Sequence, residues 1–215
     1  TCDIRRDTET TDAQITTLSH VTFQRPDRLF VENVTPVKRT IVADGTNFFS
    51  FIEGDPKGFS RPISQLNEEM LISLRKVPGT AMDHLLRLKG VPESDIDATE
   101  EFPVRKSYDA GKVYVILSLD REGRLARFEF YRSKETPEKT AQYDYSHFQE
   151  VLSGVWIPAL HRLSYSQGGV DASESSRVDN LQANKPVDPG LFDASRYFKN
   201  VQFVSDFDEI YQPAE

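Results

Sequence analysis

Residues 21–51 read "VTFQRPDRLFVENVTPVKRTIVADGTNFFSF", and this stretch decides the fold. It is dense in Val, Ile, Phe and Thr, the residues that suit a pleated, half-buried surface. Two breaker segments divide it. Residues 14–24 ("QITTLSHVTFQ") form one predicted strand and end at Arg25-Pro26-Asp27-Arg28. "LFVEN", "RTIVA" and "TNFFSFIEG" follow as three more. The last two flank Asp44-Gly45, a dipeptide that accepts the positive φ of a tight turn, so they predict a β-hairpin. No cluster of His, Cys or Ser in the stretch points to chemistry.

Beyond residue 65 the hydrophobic period changes. Asn67 is placed as an N-cap, with Glu68 and Glu69 in the first turn at the positive end of a helix dipole. Met70, Leu71 and Leu74 share one face of that helix. After Pro78-Gly79, Thr80 and Asp83 have the spacing of a capping box that opens a second helix. Ala81, Met82, Leu85, Leu86 and Leu88 carry its apolar residues, and Gly90 with Pro92 closes it.

Residues 93–110 ("ESDIDATEEFPVRKSYDA") are acidic and read as a solvated loop; their carboxylates lack the spacing of an EF-hand. Strand patterns resume with "KVYVILSL" and "RLARFEFY", joined by Asp120-Arg121-Glu122-Gly123. "TAQYDY", "GVWIP", "HRLSYSQ" and "SRVDNLQAN" come next. Turns this short imply an antiparallel meander rather than parallel βαβ units. Pro158 is expected at a sheet edge or a strand end. The tail beyond Pro186 carries isolated aromatics and reads as an irregular segment, 193–215 above all, laid over the sheet. No repeat or linker divides residues 1–215, so one domain is expected.

Composition narrows the function. The net charge of −8 disfavours nucleic acid as a partner. The mean hydropathy is −0.51 and no apolar run approaches the roughly 20 residues of a spanning helix. Cys2 is the one cysteine, so no internal disulfide forms; a buried thiol is the simpler reading of it than a lipid-modified one. His20, His84, His147 and His161 have no metal-site spacing, and no nucleophile elbow, P-loop or dinucleotide fingerprint is present. Neither a metal nor a cofactor is expected, and enzymatic activity has little in the residues to support it.

The positive signal is an excess of large apolar side chains on strands. Phe23, Phe30, Phe49, Phe51, Val115, Phe128, Phe130 and Trp156 fall on predicted strands, and Met70, Leu74, Met82 and Leu85 on the two predicted helices. One reading packs them all into a core. The other holds that two short helices leave part of such a sheet uncovered, so that these residues line a cavity for an apolar ligand.

The block from Phe23 through Arg25-Pro26-Asp27-Arg28-Leu29, Ile41-Val42 and Asp44-Gly45 to Phe48-Phe49 resembles the signature of the LolA-like lipoprotein carrier superfamily. The helices, "FEFY", "GVWIPALHRLSY" and "NKPVDPGLF" follow in that family's order, so the likeness runs from about residue 14 to 192. The resemblance implies a curved, unclosed antiparallel β half-barrel with short helices as a lid on the concave face. It also implies a non-enzymatic carrier of lipid or lipoprotein acyl chains in the periplasm, after removal of a signal peptide that this sequence does not contain. Arg25 matches the arginine that latches barrel to lid in that family. The sequence departs from that family in two ways: strand-like sequence stands where a helix is usual at the start, and the acidic 93–110 segment and the long tail are not obvious family features. An envelope protein-interaction or sensor domain with a filled core, on the same fold, is the alternative, and a hydrolase with an unrecognised site a weaker third.

Overall fold

The computed structural model of the chain describes residues 1–75, 80–167 and 170–211. It is mainly β. The strands are β1 (Cys2–Glu9), β2 (Gln14–Gln24), β3 (Arg28–Thr35), β4 (Arg39–Asp44), β5 (Asn47–Ile52), β6 (Gly58–Pro62) and β7 (Glu93–Asp95). They continue with β8 (Val104–Asp109), β9 (Tyr114–Leu119), β10 (Leu125–Tyr131), β11 (Lys139–Leu152), β12 (Val155–Gln167), β13 (Val170–Asp179) and β14 (Phe203–Val204). Two helices, α1 (Glu68–Arg75) and α2 (Met82–Arg87), lie between β6 and β7. Hydrogen bonding orders the strands β14-β6-β5-β4-β3-β2-β1-β13-β12-β11-β10-β9-β8-β7, and the end strands β14 and β7 are not neighbours, so the sheet is unclosed. From β2 to β6 and from β7 to β13 consecutive strands pair antiparallel, as the short turns require, and β14 pairs parallel with β6.

The chain divides into two compact units. The first comprises Thr1–Arg5, Thr17–Pro78 and Asp179–Glu215; the second, Arg6–Thr16 and Gly79–Val178. In the first unit the hairpin around Asp44-Gly45 forms as expected. Gly45 takes φ of 100°, and the Asp44 carboxylate accepts from the backbone N–H groups of Thr46 and Asn47, both at 2.7 Å. The register Leu29↔Ala43↔Phe48 puts these residues on one face, and Phe30↔Val42↔Phe49 puts theirs on the other. The first face is covered by α1 and the turn before it, which bury Ile63, Leu66 and Leu74 against Ala43. The second is covered by the C-terminal tail, through Phe192, Tyr197 and Phe198. Covering on both faces explains why these strands carry apolar residues at consecutive positions instead of alternating ones.

Helix α1 starts where the sequence places it: the Asn67 side chain accepts from the N–H of Met70 at 2.8 Å. Its far end is tied to the Arg-Pro-Asp-Arg turn, with Arg75 donating from Nε and Nη2 to both carboxylate oxygens of Asp27 at 2.6 and 3.1 Å. Helix α2 departs from expectation. It has Ala81, not Thr80, at its N-cap, with no side-chain cap from that residue, and the Asp83 side chain of the predicted capping box lies outside the described residues. Burial of Ala81 holds that start instead.

In the second unit, β9 to β12 form the expected meander. Residues 93–110 are not the irregular loop read from the sequence: β7 and β8 pair, and Lys106 (2.8 Å) and Tyr108 (3.1 Å) both donate to the Glu93 carboxylate across them. "GVWIP" and "HRLSYSQ" join into the single strand β12, with Pro158 inside it opposite Phe148. The missing N–H is tolerated because β13 pairs with β12 only from Leu160 to Gln167, so that Pro158 lies on a stretch paired on one side.

The tail is more ordered than its composition suggests. Residues 189–192 and 194–196 form 3-10 turns capped by the carboxylates of Asp188 and Asp193. The chain then passes β6 through the end strand β14, and the ring of Phe207 stacks on Phe59 at 3.9 Å on the other face. The aromatics there are clustered rather than isolated.

Candidate functional site

The sheet of the second unit builds its apolar face from Val115, Leu117, Phe128 and Tyr145, all buried, with Ala81 before α2 packed onto it. The register Val115↔Phe130 and Phe128↔Tyr143 gathers the aromatics of three neighbouring strands on this face. The His84 ring of α2 sits on them, 4.5 Å from Tyr143 and 5.4 Å from Phe130. In β11, His147 takes φ of 54°. That left-handed residue breaks the alternation, so Tyr145 and Phe148 both pack with the cluster despite their odd spacing.

At one end this face is not filled. A hollow of about 430 Å³ lies beside the start of α2, inside the roughly 300–1,000 Å³ range of small-molecule sites. Leu85 walls it from the helix; Tyr145, Phe148, Trp156 and Pro158 wall it from the end of the β11–β12 hairpin. Leu85 and Trp156 are 46% and 45% exposed, so the protein leaves two large apolar groups of this wall uncovered.

The third wall is the β9–β10 turn. Asp120 organises it: one carboxylate oxygen accepts from the N–H groups of Glu122 (3.0 Å) and Arg124 (2.8 Å), and the other from Arg124 Nε at 2.8 Å. Glu122 takes a second Arg124 nitrogen at 2.9 Å. The guanidinium thus held lies 4.5 Å from the Phe148 ring and 5.6 Å from Trp156. One cation beside two carboxylates gives the rim a net negative character. The arrangement has the chemistry of an apolar binding groove with a polar rim. Among the described residues no group of three or more His, Cys, Asp or Glu is placed to hold a metal ion.

The residues singled out from the sequence fall into three places. Leu85 and Trp156 line the groove; Val115, Phe128 and Phe130 belong to the packed face from which it continues. Phe30 and Phe49, with Phe51 beside Phe198, lie under the tail of the first unit. Met70 and Leu74 pack with α1 on that unit's other face, the face to which the register Phe23↔Leu29 also assigns Phe23. The side chain of Met82 lies outside the described residues. Arg25 is exposed, and the ion pair joining its turn to α1 runs through Asp27. Sequence reasoning did not single out Arg124 and Phe148. The turn read at residues 120–123 was the signal for Arg124. Phe148 gave none, because alternation assigns it to the opposite face.

No protein-family model matches the sequence, and no curated protein matches it. Solved structures do. One is the crystal structure of a domain from Vibrio parahaemolyticus described as an outer membrane lipoprotein-sorting protein domain: TM-score 0.52, 10% identity, over 88% of this chain and 87% of that one. Another is a DUF1329 family protein from Desulfovibrio piger: TM-score 0.53, 10% identity, over 91% of this chain and 89% of that one. The fold is therefore LolA-like, as the opening stretch suggested, and at this identity the likeness is one of fold.

Proposed function

We propose that this protein is a non-enzymatic carrier or binding protein for acyl chains, acting in the periplasm or cell envelope, and that the chain lies in the groove beside α2. The observation that carries the reading is the pair of uncovered side chains, Leu85 and Trp156, facing a hollow of about 430 Å³. An acyl chain gains about 0.8 kcal/mol per buried methylene, so a palmitoyl-length chain offers on the order of 12 kcal/mol gross before ordering costs. The rim refines the ligand. With Arg124 already held by Asp120 and Glu122, a free carboxylate meets net negative charge, whereas an ester- or amide-linked acyl chain meets none. The LolA-like fold supports the class, and the likeness to the Vibrio lipoprotein-sorting domain supports lipoproteins as the source of the chains. No described helix is long and apolar enough to cross a membrane, which is compatible with a carrier.

Trp156 is the single tryptophan, so its emission reports on the groove directly. A monoacylglycerol brominated along its chain is expected to quench it saturably, and Leu85→Asp to weaken that quenching by about tenfold or more. Unsaturable quenching, or quenching indifferent to Leu85→Asp in a variant of native circular dichroism, would overturn the reading. The interaction-domain alternative has its own support in the first unit, where α1 and the tail fill both faces of β3, β4 and β5. It becomes the better account if no lipid enters the groove.

A further inference from the structure

A second hollow, of about 290 Å³, lies wholly within the first unit. The register Arg39↔Ile52 and Ile41↔Ser50 sets Arg39 and Ser50 on one face of β4 and β5, and Ser50↔Phe59 continues that face onto β6. The last turn of the tail closes it from the other side with Phe207, Ile210 and Tyr211.

Arg39 is the unusual member. It is half-buried, donates from Nε to Ser50 Oγ at 2.9 Å, and has no carboxylate at ion-pair distance among the described residues. Burial lowers its pKa from the ordinary arginine value, with no counter-charge to offset it. A partly desolvated guanidinium without a carboxylate is costly to keep, and an arriving oxyanion offsets that cost while pairing with the two terminal nitrogens. The other charges around the hollow agree. Lys57 lines it, its Nζ donating to the carbonyl of Glu209 at 3.3 Å. Asp55, the one carboxylate among the described residues of the wall, already accepts from the Tyr211 hydroxyl at 3.0 Å. Among the described residues the wall thus carries two cations, Arg39 and Lys57, and one carboxylate, in a chain whose net charge is −8. The rest of the wall is apolar: the stacked pair Phe59 and Phe207, with Ile52 and Ile210.

We propose that this hollow is a binding site for a small anionic amphiphile, with its carboxylate or phosphate head on Arg39 and Lys57 and its apolar tail against Phe59, Phe207 and Ile210. The site is separate from the groove beside α2, and its charge preference is the opposite one. It stands or falls independently of the acyl-carrier reading.

The test is calorimetric titration of the full chain with octanoate, octyl phosphate, octanol and inorganic phosphate. Octanoate or octyl phosphate is expected to bind saturably at one site, whichever is tighter naming the head group. Octanol and inorganic phosphate should bind at least about tenfold more weakly, each lacking one half of the recognition. Arg39→Gln is expected to weaken binding about tenfold or more and Arg39→Lys by less, since lysine keeps the charge and loses the planar fork. Ile210→Glu, far from the strand ladder, puts a carboxylate in the wall and should weaken binding similarly, so the site remains testable if Arg39→Gln does not fold. Trp156 emission should stay unchanged throughout, and Leu85→Asp should leave the octanoate or octyl phosphate affinity intact. Absence of saturable heat, equal affinity in Arg39→Gln or Ile210→Glu, or inorganic phosphate binding as tightly as octyl phosphate would each overturn the proposal.

Discussion

Gly58 shows how much one residue decides. A Cβ there would stand 2.6 Å from the ring of Phe203, so β14 can lie against β6 only because this position carries hydrogen. Nothing around Gly58 in the sequence announces that role, because its neighbour in space is Phe203, far along the chain. Cys2 is the opposite case, a residue whose reading as a buried thiol matches its environment: it is 4% exposed. Burial pushes its pKa up to about 11. The fold therefore favours the protonated thiol. That contribution is fully present below the unfolded thiol's pKa of about 8.5 and is lost as the pH rises through about 11. Thiolate is the reactive form. At about pH 8 the folded protein should hardly react with a thiol-disulfide reagent, and the urea-unfolded chain should react at once. Equal rates in the two states would show that the β1 thiol is not held as described.

At the scale of elements, the legible parts were those whose signal is local. The Asp44-Gly45 turn, the Asn67 cap of α1 and the strand from Gln14 to Gln24 depend on neighbours in sequence, and each forms where the residues place it. The illegible parts depend on distant partners. Residues 93–95 become a strand because Lys106 and Tyr108 lie across from Glu93. The tail takes its order from Phe30, Val42 and Phe49, which it covers. Four turn-like residues, "DPGL", open its first 3-10 turn with an Asp cap and a proline, yet where that turn docks is set by the sheet. Phe192, 4% exposed, is the anchor. Phe192→Ala should cost about 3–5 kcal/mol, the usual range for a buried phenylalanine, read as a lower urea midpoint. If the tail were merely laid on the surface, the loss would be within about 0.5 kcal/mol.

For the molecule as a whole, the excess of apolar residues on strands had two possible meanings, and each is realised in a different part of the chain. In the first unit Phe30 and Phe49 are covered by the protein's own tail; in the second, Leu85 and Trp156 are left uncovered around a hollow. Composition does not distinguish these outcomes, because both bury the same kinds of side chain and differ only in whether a later segment of the chain arrives. The expectation of one domain meets its test at this scale. Each unit is assembled from separated segments, and the strands β1 and β2 each contribute residues to both: Thr1–Arg5 and Thr17 onward to the first, Arg6–Thr16 to the second. Unfolding either unit takes backbone out of a strand that also serves the other, so the two are expected to melt together. The sequence supplies one probe for each. Cys2, the single cysteine, lies in the first unit, and Trp156, the single tryptophan, in the second. In a urea series, thiol labelling at Cys2 and the emission of Trp156 should give superimposable transitions, the signature of one cooperative domain. Midpoints that separate beyond error would instead mean that the units fold as independent domains, whose stabilities, and any coupling between the sites they carry, must then be measured one at a time.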